Sequence, residues 1–175
     1  MSGDDADRLT RLWTPHRMAY VTADTPERVE GDSCPFCVIP TRSDEDGLVL
    51  RTGELAYVVL NLHPYNPGHL MVLPLRHVAD YEDLTPQECA EIAALTQQAL
   101  RTVRAVSQPH AFNIGMNLGG VAGGSLAEHL HQHVVPRWSG DANFITVLSG
   151  VKVIPQLLAD TRALLADAWI AEPPA

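Results

Sequence analysis

The stretch that decides the fold reads His129-Leu130-His131-Gln132-His133-Val134-Val135, and it holds three of the chain's eight histidines at alternate positions. In a β-strand alternate side chains point to one face, so the three imidazoles would form a row with about 7 Å between neighbours. A solvated polar face is one alternative, and an all-histidine zinc site is another, but a straight row does not converge on one tetrahedral ion. The row favours nucleophilic chemistry, because neutral imidazole forms covalent intermediates and titrates near neutral pH.

A glycine-rich loop, Gly119-Gly120-Val121-Ala122-Gly123-Gly124-Ser125, comes shortly before the histidine row. Backbone N–H groups of such a loop can bind phosphate oxygens, and Asn117 and Ser125 can add neutral donors. A glycine-rich loop alone is usually a flexible turn. Because this one leads into a row of histidines, it favours a site for a phosphate-containing ligand.

The surrounding residues predict short strands and two helices. The expected strands cover about 47–51, 55–62, 69–75, 111–118 and 129–136, and the fourth alternates, with Phe112, Ile114, Met116 and Leu118 on a half-buried face. Thr85-Pro86-Gln87-Glu88 has the form of a capping box and begins a long amphipathic helix that ends before Pro109. A final helix is expected over 154–170. Strands and helices do not alternate regularly, so an α+β fold with a mainly antiparallel sheet is favoured over a doubly wound parallel one.

Length and charge exclude several classes of protein. A chain of 175 residues predicts one domain over 1–175, with an N-terminal extension (1–30), a core (34–138) and a C-terminal strand and helix (139–175). A net charge of −9 argues against binding to nucleic acid or an anionic membrane, since both need a basic face. No apolar run approaches the roughly 20 residues of a membrane span. The acidic start Met1-Ser2-Gly3-Asp4-Asp5 is unlike a signal peptide, so we expect a cytoplasmic protein.

Two of the three cysteines form the motif Cys34-Pro35-Phe36-Cys37. An odd number of cysteines without an export signal argues against a disulfide framework. A redox pair usually opens a helix, whereas Pro40 argues against a helix that continues past Ile39. Two thiolates at this spacing form half of a tetrahedral zinc site, which is favoured over a redox pair or unligated thiols.

From about Cys34 to Trp138 the chain resembles the histidine triad (HIT) superfamily of nucleotide hydrolases and transferases. The motifs that carry the resemblance are the alternating histidines, Asn61, Pro67-Gly68-His69, Leu70-Met71-Val72-Leu73-Pro74 and the Gly-Gly-Ser loop. The flanking segments Asn117-Leu118-Gly119 and 136–144 look like the actinobacterial diadenosine tetraphosphate phosphorylase branch. The resemblance implies a HIT-like fold with a five-stranded sheet, and a homodimer.

The resemblance also implies roles for individual residues. His131 matches the family's nucleophile, which attacks the α-phosphorus and forms an adenylyl-histidine. His133 matches the histidine that bonds the α-phosphate, and His69 the one that supports the row. The implied nucleotide contacts are Asn61 at the ribose hydroxyls and Asn117, Gly124 and Ser125 at the phosphates. Gln132 departs from the family pattern, which prefers an apolar residue, but it lies on the opposite face from the nucleophile.

A structural zinc ion is implied as well, with Cys34, Cys37, His77 and His129 as its ligands. Two residues beyond the histidine row each keep two interpretations. Trp138 can stack on an adenine or be buried at a subunit interface. Arg137 can contact a distal phosphate or pair with an acidic side chain.

The implied reaction is a double displacement on an adenine nucleotide. His131 displaces the distal phosphates, and a second nucleophile then removes AMP. If orthophosphate does so, the enzyme is a diadenosine tetraphosphate phosphorylase that releases ADP, which is the function we expect. The alternatives are a hydrolase of dinucleoside polyphosphates or adenosine phosphoramidates that releases AMP, and a nucleotide-binding regulatory protein.

Overall fold

A computed structural model describes residues 34–123, 126–141 and 154–172. The expected N-terminal extension, Gly124, Ser125, residues 142–153 and residues 173–175 lie outside the described residues. The helices are α1 (Pro35–Val38), α2 (Asp44–Gly47), α3 (Pro86–Ser107) and α4 (Leu158–Asp167), and the strands are β1 (Val49–Thr52), β2 (Ala56–Leu60), β3 (Leu70–Pro74), β4 (Ala111–Met116) and β5 (Gln132–Arg137). No helix in these ranges is both long and apolar enough to span a membrane.

The five strands form one antiparallel sheet in the order β1-β2-β3-β5-β4. The histidine strand β5 lies between β3 and β4, with His133 opposite Met71 on one side and Gly115 on the other. The α+β class and the five-stranded antiparallel sheet are therefore confirmed. This order brings the segment before β3, which carries His69, beside the histidine row.

Each face of the sheet has its own apolar cluster. One face packs Val58, Val72 and Val134 against α3 and α4. The other face packs Tyr57 and Leu73 against the segment that carries Cys34 and Phe36, and a hydroxyl hydrogen bond of 2.8 Å joins Tyr57 to the Phe36 carbonyl. The sheet thus has one face covered by helices and a second face on which the cysteine motif lies.

The capping box of α3 forms as predicted. Thr85 Oγ1 accepts a hydrogen bond from the Glu88 N–H, and the Glu88 carboxylate accepts one from the Thr85 N–H. The carboxylate also accepts two hydrogen bonds from Arg76, and this pairing lowers the pKa of Glu88 to about 2. The helix ends at a left-handed Gln108, directly before Pro109. The capping box therefore anchors the segment after β3, where His77 follows Arg76.

Several predicted boundaries are wrong. β5 begins at Gln132 rather than 129, because its pairing with β3 starts only at that residue, so His129 and His131 precede the strand. The acidic segment 41–47 predicts a turn, but residues 44–47 form a short helix capped by Ser43. The last helix is shorter than 154–170. The alternation in β4 predicts a half-buried face, and Phe112 does pack against the helix-covered core, but Ile114 on the same face is 47% exposed because β4 lies at the edge of the described sheet.

Candidate functional site

His131 lies immediately before β5 in a buried position, and its tautomer follows from one contact. Its Nδ1 is 2.9 Å from the His129 carbonyl oxygen, which only accepts hydrogen bonds. Nδ1 therefore carries the proton and donates it, and Nε2 keeps its lone pair. This is the form of imidazole that acts as a nucleophile.

A second chain of hydrogen bonds determines the tautomers of His69 and His133. The Tyr65 backbone N–H donates to His69 Nδ1 at 3.0 Å, so the ring proton of His69 lies on Nε2. That Nε2 is 3.0 Å from His133 Nδ1 and donates to it. His133 consequently carries its proton on Nε2, where it remains available to donate to a ligand. The ring of Tyr65 stacks on that of His133, with centroids 5.8 Å apart, and also contacts the ring of His69, with centroids 4.7 Å apart.

Burial keeps the imidazoles of the site neutral. Burial first, and neighbouring histidines second, lower the pKa of His69 to about 3 and that of His133 to about 4. Burial also lowers the pKa of His131. All three rings are thus neutral at pH 7, so His131 offers a lone pair and His133 a neutral N–H donor.

Two cavities meet at His133. The larger, of about 1000 Å³, is lined by apolar side chains such as Phe36 and by Asn61, Asn117 and both His131 and His133. The smaller, of about 430 Å³, lies on the β4 side and shares Tyr65, Asn117 and His133 with the larger one. His131 lines only the larger cavity. The larger volume and mixed lining are those of a site for a small organic ligand.

The predicted nucleotide-binding residues are partly brought together. The side chain of Asn61 lies beside His69, with its amide nitrogen 3.4 Å from His69 Nδ1. Asn117 lines both cavities. Gly124 and Ser125 lie outside the described residues. Trp138 is half buried, and it is not among the described residues that line either cavity. Its backbone N–H donates a hydrogen bond to the Asp141 carboxylate.

The cysteine motif meets two histidines, as the proposed zinc ligands require. The Sγ atoms of Cys34 and Cys37 each lie 3.5 Å from His129 Nδ1, and Cys37 Sγ is 3.4 Å from His77 Nδ1. All four ligand atoms lie within 4.8 Å of one another. Tetrahedral zinc, with Zn–S of about 2.3 Å and Zn–N of about 2.0 Å, requires S···N separations of about 3.5 Å. The group can therefore hold a metal ion of this kind.

The side chain and the backbone of His129 connect the metal-ligand group to the nucleophile. Its Nε2 is 3.0 Å from the Pro74 carbonyl and donates to it, which leaves Nδ1 unprotonated and facing the cysteines. Its own carbonyl accepts the hydrogen bond from His131 Nδ1. Phe36, between the two cysteines, contacts the His131 ring with centroids 5.1 Å apart. The geometry of the candidate nucleophile thus depends directly on the position of a residue that belongs to this four-residue group.

Three further residues of the site were not identified from the sequence. Tyr65 and Asn66 lie in a proline-rich connection that predicts only a rigid turn, although Asn66 is buried and donates to the Pro136 carbonyl and to Asp141. Asp141 also accepts two hydrogen bonds from Arg137 at 2.6 and 3.1 Å. Of the two interpretations of Arg137, pairing with an acidic side chain is therefore the one that is observed.

Comparison with known proteins identifies a matching family model and several related proteins. The model of the HIT domain matches residues 42–140. The AP-4-A phosphorylase of Mycobacterium tuberculosis (strain ATCC 25618 / H37Rv) is 60% identical over 172 residues, which cover 95% of this chain and 88% of that protein. The asymmetrical bis(5'-nucleosyl)-tetraphosphatase of Schizosaccharomyces pombe is 34% identical over 88 residues, which cover 50% of this chain and 48% of that one.

A solved structure is similar in fold. The zinc-bound histidine triad family protein from Mycobacterium smegmatis superposes with a TM-score of 0.62 at 30% identity, over 79% of this chain and 94% of that chain. A metal ion of the kind that the four-residue group fits is therefore bound in a similar protein.

Proposed function

The chain belongs to the HIT domain family, and on that premise we propose that it is a nucleotidyl-transfer enzyme in which His131 attacks the α-phosphorus of a dinucleoside polyphosphate. The observation that carries the proposal is the hydrogen bond from His131 Nδ1–H to the His129 carbonyl, because it leaves Nε2 with a free lone pair beside a large cavity. We include the whole chain, 1–175, in one domain.

In the first half of the reaction, His131 Nε2 forms a bond to the α-phosphorus, and the bond to the bridging oxygen breaks. With diadenosine tetraphosphate, the leaving group is ATP, which takes the bonding electron pair on that oxygen. The Nε2–H of His133 donates to an α-phosphate oxygen and stabilises its charge in the transition state. The product of this half is an adenylyl-histidine.

In the second half, orthophosphate removes the adenylyl group. An oxygen of hydrogen phosphate attacks the phosphorus, the P–N bond breaks, and its electron pair returns to Nε2. ADP forms and the proton of hydrogen phosphate passes to solvent. We propose orthophosphate rather than water as the acceptor, because the relative that is 60% identical over most of the chain is named a phosphorylase.

The remaining binding residues keep the roles expected from the sequence. Asn61 bonds the ribose hydroxyls, and Asn117, Gly124 and Ser125 contact the phosphates. Trp138 lines neither cavity of the described residues and keeps both interpretations, stacking on adenine or burial at a subunit interface. His69 is a positioning residue, since it acts through His133. The partner of the protein is accordingly a small adenine nucleotide.

Cys34, Cys37, His77 and His129 hold a structural zinc ion in this proposal. When bound, the ion supplies a cross-link between the cysteine segment, the end of β3 and the residue that orients His131. Support comes from S···N distances that match tetrahedral zinc, and from a similar protein that binds zinc.

The phosphate dependence of the reaction tests the function. With diadenosine tetraphosphate and orthophosphate, we expect equal amounts of ADP and ATP, and no turnover without phosphate. AMP and ATP formed without phosphate would instead identify a hydrolase. Turnover of adenosine phosphoramidate alone would favour the phosphoramidase alternative, and binding with no turnover of any of these would favour a regulatory protein.

We also propose a homodimer that forms through β4. This strand is at the edge of the sheet in the described part of the chain, and such an edge readily pairs with another strand. Ile114 on β4 and Leu118 just after it are 47% and 46% exposed. A second copy of β4, related by twofold symmetry, pairs the edge and covers these side chains.

The variant Ile114→Lys is expected to be monomeric at micromolar concentration, because the interface would bury an unpaired charge. Size-exclusion chromatography with light scattering measures the mass. Leu164→Lys, on α4 at a similar exposure of 45%, is the matched control and should remain a dimer. A dimeric Ile114→Lys would exclude β4 as the interface, and a monomeric wild type would exclude the dimer itself.

A further inference from the structure

Asn66, in the connection between β2 and β3, carries a buried amide and is only 3% exposed. Its Nδ2 atom lies 2.8 Å from the Pro136 carbonyl oxygen and 2.7 Å from Asp141 Oδ2. A carbonyl and an ionised carboxylate only accept hydrogen bonds, so the amide nitrogen faces them and donates both of its protons. Asn66 therefore fastens the connection to β5 and to the turn that follows this strand.

The carboxylate of Asp141 is a fixed acceptor for that amide. It accepts two hydrogen bonds from Arg137, at 2.6 and 3.1 Å, and one from the Trp138 N–H at 3.2 Å. The hydrogen bond from Arg137 first, and those from Asn66 and Trp138 after it, hold the pKa of Asp141 well below its usual range. The carboxylate is thus ionised at neutral pH, and the hydrogen bond from Asn66 is charge-assisted, which makes it one of the stronger kind.

The connection makes a tight turn at Asn66. The His69 N–H donates to the Asn66 carbonyl at 3.1 Å, and Gly68 within the turn has a φ of +69°. Tyr65, directly before Asn66, donates its backbone N–H to His69 Nδ1 at 3.0 Å. Because Tyr65 itself is 56% exposed, its own packing does little to fix that N–H. The buried neighbour Asn66 supplies the anchor instead.

The Tyr65 N–H determines which nitrogen of His69 carries the ring proton. A donor at Nδ1 keeps the proton on Nε2, which donates to His133 Nδ1 at 3.0 Å and leaves the proton of His133 on its own Nε2. The amide nitrogen of Asn61 also faces His69 Nδ1, but at the longer distance of 3.4 Å. In the proposed function Asn61 also bonds the ribose. The Tyr65 N–H is therefore the shorter of the two contacts and the one that does not also serve the substrate.

We infer that Asn66 is a positioning residue for the reaction: by fixing the Tyr65 N–H, it keeps the proton of His133 on Nε2. The inference rests on the proposed function, in which this Nε2–H donates to an oxygen of the α-phosphate. Asn66 acts on the reaction only through its neighbours, and the donor that it keeps in place is the one that stabilises charge in the transition state.

The variant Asn66→Ala tests this role with kinetics and with NMR. With diadenosine tetraphosphate and orthophosphate, we expect kcat to fall by at least about tenfold, because a displaced donor stabilises the transition state less. KM should change by less than about threefold, since the lost interaction is one of the transition state.

The nitrogen chemical shifts of the imidazoles report the tautomers directly, on isotopically labelled protein without nucleotide. Replacing each histidine in turn assigns the signals. In the wild type, His69 and His133 should each show an unprotonated Nδ1 and a protonated Nε2. In Asn66→Ala, the ring proton of His69 should be shared between its two nitrogens. A loss of stability alone would not produce this change.

Two further variants complete the test. Asp141→Asn keeps the shape of the anchor without its charge, and should lower kcat and shift the tautomer in the same direction by less. Added to Asn66→Ala it should lower kcat little further, because both changes weaken the same contact. This milder variant keeps the test decisive if alanine disturbs folding. Gln98→Ala is the matched control, since it removes a half-buried amide on α3 that accepts a hydrogen bond from Trp169. It should leave kcat and the nitrogen shifts unchanged.

Wild-type nitrogen shifts in Asn66→Ala and Asp141→Asn, or an unchanged kcat in both, would overturn the inference alone. An equal loss of kcat in Gln98→Ala would do the same, because it would show a general effect of lost stability. A wild type that turns over neither the dinucleotide nor adenosine phosphoramidate would overturn the proposed function, and with it the role of Asn66 in the reaction.

Discussion

Replacement of His131 by alanine is expected to lower kcat by at least about 10,000-fold, the scale seen when a covalent nucleophile is removed. The physical reason is that Nε2 of His131 is the unprotonated nitrogen of the site: the hydrogen bonds of His69 and His133 leave each of these rings with a proton on Nε2. Nucleotide binding should largely survive, since the larger cavity keeps its other lining residues. Steady-state kinetics and equilibrium binding of a nucleotide together measure the two effects.

The covalent intermediate separates a lost nucleophile from a disturbed fold. Wild-type protein mixed with substrate labelled at the α-phosphate should retain label after denaturation, through an acid-labile P–N bond, and His131→Ala should retain none. Gln132→Leu is the control, because the side chain of Gln132, although adjacent to His131 in the sequence, donates a hydrogen bond to Thr96 on the helix-covered side of the sheet. Full turnover by His131→Ala, or label retained in that variant, would exclude His131 as the nucleophile.

The alternation of the histidines identified the segment that carries the candidate site, but not the arrangement of its rings. Side chains at alternate positions share one face only where those positions lie in a paired β-strand. Here pairing with β3 begins at Gln132, so the ring of His129 turns away to the cysteines and only its carbonyl remains beside His131. The position where pairing begins depends on β3, about 60 residues earlier, and no local pattern encodes it.

The cavities could not be predicted for a similar reason. Tyr65 and Asn66 reach the site because the connection before β3 folds over β5, where Asn66 bonds a carbonyl 70 residues later in the chain. The four residues that can hold a metal ion, by contrast, were predicted as a group from the family resemblance, although Cys34 and His129 are 95 positions apart in the sequence.

Loss of the metal site is expected to have the second large effect, on stability as well as on activity. A ligand that binds only the folded state at 1,000 times its Kd stabilises that state by about 4 kcal/mol. For a chain of this size, that corresponds to a fall in Tm of about 8–16 °C. Cys34→Ser and Cys37→Ser should both show this fall, with zinc below about 0.2 per chain against about one in the wild type.

The activity of the same variants should fall as well, since the position of His129 sets that of His131. With Nδ1 of His129 no longer held by the ion, its carbonyl loses a fixed position, and the hydrogen bond that keeps Nε2 of His131 unprotonated weakens. We expect kcat to fall more than KM rises, because the cavity that binds the nucleotide is lined by neither cysteine.

Cys89→Ser is the matched control for the metal site, because this thiol lies on α3 outside the four-residue group. It should retain zinc, Tm and kcat. Elemental analysis of protein purified without a histidine tag, thermal unfolding and kinetics measure the three quantities, and zinc added back after chelation should restore all of them in the wild type. If the wild-type protein contains no zinc as purified and binds none when zinc is added, the proposed zinc site is excluded. Full activity in a zinc-free, folded Cys34→Ser would show that His131 is oriented without it, and that the group stabilises the fold alone.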